Sequence, residues 1–196
     1  MSDMITQCER VAHDEGLAAG LAAALDTVDV NSAPGGVAAV PATWVTAGAP
    51  VVPYDMARDE GVAFVRCETP TTTATDELTR LGVRLGAVRL ALTRRLTEHA
   101  VEHLSSRVAA GEPTIRKQLV LGTLADVLTA TEALRQQLRV SPDSAVAVAD
   151  VHDRITELDW ELAKLLGASG YVTDSPKRGA HVSELIANCW IVREGA

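Results

Sequence analysis

The 196-residue sequence is poor in aromatic residues and in cysteine. Aromatic residues make up 3% of the chain and include a single Phe, so a buried core has to be built mainly from Leu, Val and Ala. The three cysteines, Cys8, Cys67 and Cys189, are far apart in the sequence. An odd number of widely separated thiols predicts neither a disulfide framework nor a Cys-x-x-Cys metal site.

Long apolar runs and basic clusters are also missing. No apolar run has the length that a bilayer demands, and the acidic N-terminus lacks the apolar segment of a secretory signal. The net charge of −8 argues against broad contact with nucleic acid or anionic lipid. We therefore expect a cytoplasmic protein that uses neither a nucleic acid nor a membrane as a partner.

A helical period dominates the chain from residue 76 onward. Apolar residues recur there at intervals of three and four, which predicts a long helix with one apolar face: Leu78, Leu81, Leu85, Val88, Leu92, Leu96 and Leu104. Gly111 and Pro113 are expected to end this helix. Two further apolar stripes, over 120–138 and 151–165, predict two more helices. The helix that carries the stripe 151–165 is expected to begin at a cap, Ser141. A last helix is expected over 180–192. Long helices joined by short loops predict a mainly α, antiparallel helical bundle.

The first third of the chain has a different composition. Residues 3–26 predict one helix, and a stretch rich in Gly and Pro follows it. Residues 61–69 are the best candidate for a strand. We therefore divide the chain into a small irregular or β-containing region, 1–73, and a helical bundle domain, 74–196.

The expected corner between the first two bundle helices carries a distinctive order of residues, in the stretch "VEHLSSRVAAGEPTIRKQ" over 101–118. Arg107, Gly111, Pro113 and Gln118 precede a Leu-Ala-Asp stretch at 124–126. This order resembles the C-terminal helical domain of the acyl-CoA dehydrogenase superfamily. That domain has an Arg at the end of one long helix, then Phe-Gly-x-Pro, and then a Gln that enters the next helix before Leu-Ala-Asp.

The resemblance implies a flavin site. In the superfamily the Arg and the Gln reach the FAD of a neighbouring subunit, which would assign Arg107 and Gln118 to FAD binding. A guanidinium binds a pyrophosphate well, because its planar fork of donors matches the phosphate oxygens. The chain departs from the pattern at Ala110, where the family has an aromatic residue. Without FAD, Arg107 is a charge at a helix C-terminus that complements the helix dipole.

A second segment, "LLGASGYVTDSPKR" over 165–178, is similar to the family's Leu-Gly-Gly-x-Gly-Tyr segment. There the glycines let the backbone approach the dinucleotide, which would assign Gly167 and Gly170 to FAD binding. Ala168 replaces the second family glycine, and its Cβ could crowd a ligand. The alternative is that Gly167 ends a helix and Gly170 forms a turn.

The segment "IVREGA" over 191–196 is similar to the family's Tyr-Glu-Gly-Thr segment, which supplies the catalytic base. The resemblance would make Glu194 the carboxylate that removes the α-proton of an acyl thioester, while the flavin accepts a β-hydride.

Residues 99–103, "HAVEH", match the His-x-x-Glu-His pattern of some zinc proteases. His99 and His103 would lie on one helical face, with Glu102 as base and Glu157, Glu161 or Glu184 as a distant third ligand. We expect instead a polar helical face without zinc.

In the same way, Arg84, Arg89, Arg94 and Arg95 are expected to lie on a helix surface, and residues 150–154, including His152, on a solvated face.

Three hypotheses about function stay open. The first is an acyl-CoA dehydrogenase-like protein that oxidises an acyl thioester with FAD, as a homo-oligomer or with a paired dehydrogenase-like subunit. The second is a flavin-free relative that binds a small molecule in the bundle and acts as an isomerase, dehydratase or cyclase. The third is a non-catalytic assembly subunit. About seventy residues precede the bundle, fewer than the family's N-terminal and β domains need.

Overall fold

The computed structural model describes residues 2–67, 74–109, 111–167 and 177–193. Four long helices form the larger part of the fold: α4 (Thr75–Ser106), α5 (Gln118–Val140), α6 (Ala145–Leu166) and α7 (Lys177–Trp190). The helical bundle that the periodicity predicted is confirmed. The predicted apolar stripes are the buried ones, since Leu124, Val127, Leu134 and Leu138 of α5 all face the core.

The α4–α5 corner and the short α5–α6 connection make consecutive helices antiparallel. A small core cluster joins the end of α4, the beginning of α5, the end of α6 and the beginning of α7, through Leu96, Leu124, Leu166 and Ala180. We call this end of the bundle the corner end. The opposite end holds Thr75 of α4, Ala145 of α6 and Ile191, which follows α7.

The N-terminal region packs a helical pair and a small sheet against this bundle. Helices α1 (Ser2–Glu15) and α2 (Leu17–Leu25) both contact α4. Strands β1 (Val37–Pro41), β2 (Val51–Val52) and β3 (Val62–Arg66) form an antiparallel sheet in the order β1-β3-β2, and a short helix, α3 (Asp55–Asp59), precedes β3. Phe64, in the predicted strand, pairs with both Ala39 and Val52.

The sheet and the bundle share one core. Helix α7 contacts β1, and the Trp190 indole donates a hydrogen bond to the Ala39 carbonyl oxygen at 3.1 Å. The larger core cluster contains residues of α1, α2, β1 and β3 as well as of α4 to α7. The division of the chain into 1–73 and 74–196 stays a prediction.

Two predictions about helix ends were wrong. The single helix over 3–26 is two helices, because Gly16 between them has a φ of 98°, which other residues adopt only with strain. Helix α6 begins at Ala145, and its cap is Ser144, whose hydroxyl accepts a hydrogen bond from the Ala147 N–H at 3.2 Å. Ser141 instead follows the end of α5.

The prediction that Arg84 and Arg89 lie on a helix surface was also wrong. Every residue from 81 to 93 of α4 is buried, because α1 and α2 cover the face that a simple bundle would leave to solvent. Arg94 and Arg95 are exposed, as predicted. His152 is fully buried rather than solvated, whereas its neighbours Asp153 and Arg154 are exposed.

Candidate functional site

The corner between α4 and α5 is a small hairpin built from backbone hydrogen bonds. Strands β4 (Val108–Ala109) and β5 (Glu112–Pro113) pair antiparallel, and Gly111 makes the turn with a φ of 84°. The Thr114 N–H and the Thr114 hydroxyl both donate to the Arg107 carbonyl oxygen, at 2.7 and 2.9 Å. These bonds hold the backbone at the end of α4 next to the approach to α5.

The corner concentrates positive charge in an acidic chain. Arg107, Arg116 and Lys117 are all exposed, and none of them has an ion-pair partner within the described part of the chain. Helix α5 begins beside them at Gln118, which is also exposed, and the side chain of its N-cap residue, Lys117, makes no capping hydrogen bond. Free N–H groups and the positive end of the helix dipole favour an anion at such a place.

Arg116 and Lys117 were not among the site residues predicted from the sequence. The signal was present, since both residues directly precede Gln118. Their significance depends on where α5 begins, because the short 3₁₀ turn Thr114–Arg116 and Lys117 immediately precede its first residue.

Gly167 lies at the corner end, where α6 ends. Its φ is 57°, and a Cβ added to it would meet no atom of the described residues within 4 Å. Arg107, Gln118 and Gly167 therefore lie at the same end of the bundle. Gly170, Ala110 and Glu194 lie outside the described residues.

A cleft lies at the opposite end of the bundle. The first turns of α4, the first turn of α6 and the segment after α7 line it: Thr75, Leu78, Thr79, Ala145, Val148, Ile191 and Val192. Its empty space is about 250 Å³ including the open mouth. Helix α4 has 32 residues, so at 1.5 Å per residue the cleft and the corner are separated by about 48 Å.

A buried polar network crosses the middle of the bundle between α4 and α6. The Arg89 guanidinium donates to the His152 carbonyl oxygen and to the Thr156 hydroxyl, both at 2.8 Å. The His152 Nε2–H donates to the Gly82 carbonyl oxygen at 2.9 Å, and Nδ1 accepts from Arg89. Burial, with the nearby Arg89 cation, lowers the pKa of His152 to about 3, so this imidazole is neutral.

Asp159 ends this network. The Thr93 hydroxyl donates to Asp159 Oδ1 at 2.7 Å, and the side chain is only 8% exposed. Burial raises the pKa of Asp159 from 3.8 to about 6, although Arg89 and Thr93 act in the opposite direction. Asp159 also lines a second cleft, between α6 and α7, with Thr156, Trp160, Lys177, Ala180, His181 and Glu184.

The two histidines of the "HAVEH" stretch are half-buried, with ring centroids 6.5 Å apart. Within the described ranges, no three His, Cys, Asp or Glu side chains are close enough together to hold a metal ion. Within the same ranges, no helix has both the length and the apolar character that crossing a bilayer requires.

Comparisons with known proteins identify the family. The family model for the C-terminal domain of acyl-CoA dehydrogenase matches residues 71–187, which is more than half of the chain. No curated protein matches the sequence significantly.

Several solved structures share the fold. A structure of the electron transferring flavoprotein of Acidaminococcus fermentans has a chain that is 17% identical, with a TM-score of 0.55 over 73% of this chain and 46% of that one. The ChsE4–ChsE5 complex from Mycobacterium tuberculosis has one that is 21% identical, with a TM-score of 0.54 over 74% and 46%. Butyryl-CoA dehydrogenase from Megasphaera elsdenii is 16% identical, with a TM-score of 0.51 over 78% and 44%.

The matched part of each of these structures is less than half of its length. The family match covers α4, α5, α6, most of α7 and the corner that carries Arg107 and Gln118, which confirms the resemblance seen in the sequence. The chain therefore belongs to the acyl-CoA dehydrogenase family, through its C-terminal domain.

Proposed function

We propose that this chain is an acyl-CoA dehydrogenase-like subunit that takes part in the FAD-dependent oxidation of an acyl thioester. The observation that carries the proposal is the exposed corner, where an arginine without an ion-pair partner in the described ranges and a glutamine flank the uncapped beginning of α5. In this proposal Arg107, Gln118, Gly167 and Gly170 contact FAD.

The residues at the corner fit a pyrophosphate group. Between 107 and 118 the chain has three cations, Arg107, Arg116 and Lys117, and one anion, Glu112. A local excess of positive charge in a chain of net charge −8 attracts an anion more strongly than the rest of the surface does. In this proposal the absence of a Cβ at Gly167 lets a dinucleotide approach the backbone.

The distance between the two ends of α4 implies that each FAD site is built from residues of two subunits. Glu194 follows Val192 by two residues, and Val192 lines the cleft at the opposite end from Arg107. Two residues span at most about 7 Å, which is far less than the ~48 Å length of α4. One protomer therefore offers its corner to the FAD of a neighbour, whereas Glu194 serves a different FAD.

In this proposal the carboxylate of Glu194 would remove the α-proton of the acyl thioester. A bound FAD would supply the hydride acceptor that this oxidation needs. The cleft has an apolar lining from Leu78, Val148 and Ile191, which suits an acyl chain.

Helix α5 supplies a surface on which a second subunit can pack. Leu119, Leu121 and Leu128 are 86%, 52% and 58% exposed, and Leu121 and Leu128 lie two turns apart on one face. Exposed apolar stripes of this kind are typical of subunit interfaces. We propose a homo-oligomer or a pair with a dehydrogenase-like subunit; the related ChsE4–ChsE5 structure is itself a complex. A cytoplasmic location stays a prediction from the sequence.

The first test is a visible spectrum of the freshly purified protein, followed by a titration with FAD monitored by flavin fluorescence. We expect flavin absorbance, or saturable binding of added FAD. Arg107→Ala should raise the Kd for FAD at least about tenfold, because a hydrogen bond to a charged group contributes ~1.5–3 kcal/mol.

Arg139→Ala is the matched control, since Arg139 is an exposed arginine at the other end of α5. Equal affinities for Arg107→Ala and the unmodified protein would reject the role of Arg107. A colourless protein that does not bind added FAD would reject the flavin-dependent function. It would favour a flavin-free relative that binds another small molecule, or an assembly subunit.

A further inference from the structure

The cleft between α6 and α7 has a buried carboxylate in its wall. Asp159 lines this cleft and is only 8% exposed. Its Oδ1 accepts the hydrogen bond from Thr93, whereas Oδ2 has no hydrogen-bond partner and the carboxylate no ion-pair partner in the described ranges. The nearby Arg89 guanidinium donates to other acceptors on α6. A buried oxygen without a partner is costly, and a donor that enters the cleft can satisfy it.

A second carboxylate, from Glu184 of α7, lines the same cleft. It lies close enough to Asp159 to contribute to the raised pKa of that group. His181 lies between Glu184 and Tyr54, because the Tyr54 hydroxyl donates to Nε2 at 3.1 Å and Nδ1 is 3.7 Å from Glu184 Oε2. The cleft is therefore lined by two carboxylates, one of them buried and the other in contact with a neighbouring histidine.

An aromatic ring near the surface also lines this cleft. Trp160 is half-buried, and the Lys177 ammonium nitrogen lies 4.3 Å from the centre of its ring. An ammonium group over an indole face is attracted by the negative face of the ring. The chain's own lysine thus shows that this wall accepts an ammonium group.

Charge and size define the class of ligand that the cleft suits. Of the charged groups in its lining, two are acidic and one is a lysine, so the cleft favours a cation. Its empty space is about 270 Å³ including the open mouth, and the enclosed part has room for about one or two water-sized groups. A primary ammonium group is about that size, whereas a planar guanidinium is larger.

We propose that this cleft binds the primary ammonium group of a small aliphatic amine, with the ammonium between Asp159 and Glu184 and the aliphatic part against Trp160. The ammonium donates to Asp159 Oδ2, and its charge offsets the two carboxylates. Lys177 competes with the ligand for the face of Trp160. This binding does not involve FAD and is independent of the proposed function.

Tryptophan fluorescence of the full chain tests the inference directly, because Trp160 lines the cleft and the other two tryptophans, Trp44 and Trp190, do not. We expect a saturable change on titration with n-butylammonium chloride at pH 7.5 and constant ionic strength. The neutral analogue n-butanol should not reproduce this change. Trp160→Phe should remove the fluorescence change, whereas calorimetry should still detect binding of n-butylammonium to this variant.

Two substitutions should change the affinity in opposite directions. Asp159→Asn should raise the Kd for n-butylammonium at least about tenfold, because it removes a charge-assisted hydrogen bond. Lys177→Gln should lower the Kd about two- to fivefold, because it removes the competing cation from the indole. Lys164→Gln is the matched control, since it removes an exposed lysine that pairs with Glu161 on α6 and should leave the Kd unchanged. Thermal unfolding shows that each variant is folded.

Several results would overturn the inference. Equal binding of n-butanol and n-butylammonium, or no saturable binding of the amine, would show that the cleft does not recognise an ammonium group. An unchanged Kd in folded Asp159→Asn would exclude the buried carboxylate as the partner. If Lys177→Gln weakens binding of the amine, or if butyrate binds through Lys177 instead, the cleft takes an anion and the inference is wrong. None of these results bears on the titration with FAD.

Discussion

The buried carboxylate of Asp159 makes a prediction about stability that can be worked out from its surroundings. Its pKa is about 6 in the folded protein, whereas 3.8 is its ordinary value, because burial penalises the charged form more than Arg89 and Thr93 stabilise it. This difference between the two pKa values corresponds to ~3 kcal/mol of destabilisation at a pH where the carboxylate is ionised in both the folded and the unfolded state. The side chain is 8% exposed, so solvent screens little of this effect.

Asp159→Asn removes the charge and keeps the shape. The amide oxygen can still accept the hydrogen bond from the Thr93 hydroxyl, which is 2.7 Å from Asp159 Oδ1 in the unmodified protein. We therefore expect the variant to be more stable at pH 7.5 by up to ~3 kcal/mol. This advantage should shrink as the pH falls from about 6 towards 3.8, because the folded protein then protonates Asp159 and loses the penalty.

Urea unfolding at several pH values between 7.5 and 4 measures the difference between the two proteins. The difference in the free energy of unfolding between the two proteins is more informative than the pH dependence of either protein alone, because His152 and Asp159 change the stability in opposite directions as the pH falls. Burial lowers the pKa of His152 from 6.5 to about 3, so below pH 6.5 the unfolded chain takes up a proton that the folded one does not, and stability falls. This loss is common to both proteins and cancels in the difference.

Glu161→Gln is the control, because Glu161 lies on the same helix but is half exposed and paired with Lys164. Its effect should stay within ~1 kcal/mol at every pH. If Asp159→Asn is less stable than the unmodified protein at pH 7.5, the attraction between the Arg89 cation and the Asp159 carboxylate stabilises the folded protein more than burial of the charge destabilises it. That result would refute the prediction. A stability difference that does not change with pH would likewise refute the reasoning.

Two further predictions concern packing and assembly. Gly82→Ala should lower the free energy of unfolding by ~1–3 kcal/mol, because its Cβ would lie 2.7 Å from Val148 Cγ1. Gly122→Ala should raise the free energy of unfolding by up to ~1 kcal/mol, because a Cβ at position 122 would meet no described atom within 4 Å. Urea midpoints equal to that of the unmodified protein would contradict both predictions. Leu128→Asp should dissociate the proposed oligomer in analytical ultracentrifugation, whereas Val140→Asp, at the end of α5, should not; an unchanged mass for Leu128→Asp would exclude this face as the interface.

The order of residues along the chain was sufficient to predict the bundle and its corner. Leucine at intervals of three and four marks one face of each helix, and Gly111 and Pro113 interrupt the pattern where α4 ends. The same order carried the family resemblance, because Arg107 and Gln118 lie on either side of that interruption. These features depend on neighbours within a few residues, so a sequence is enough to reveal them.

The environment of the charged residues on α4 was decided only by the tertiary structure. A periodic pattern identifies the most apolar face of a helix, but it does not reveal whether another helix covers the remaining faces. Arg89 is buried because α1, α2 and α6 surround α4, and its hydrogen-bond acceptors on α6, the His152 carbonyl oxygen and Thr156, are more than sixty residues away along the chain. The separation of the corner from the cleft likewise follows from the length and direction of packed helices, which no local pattern contains.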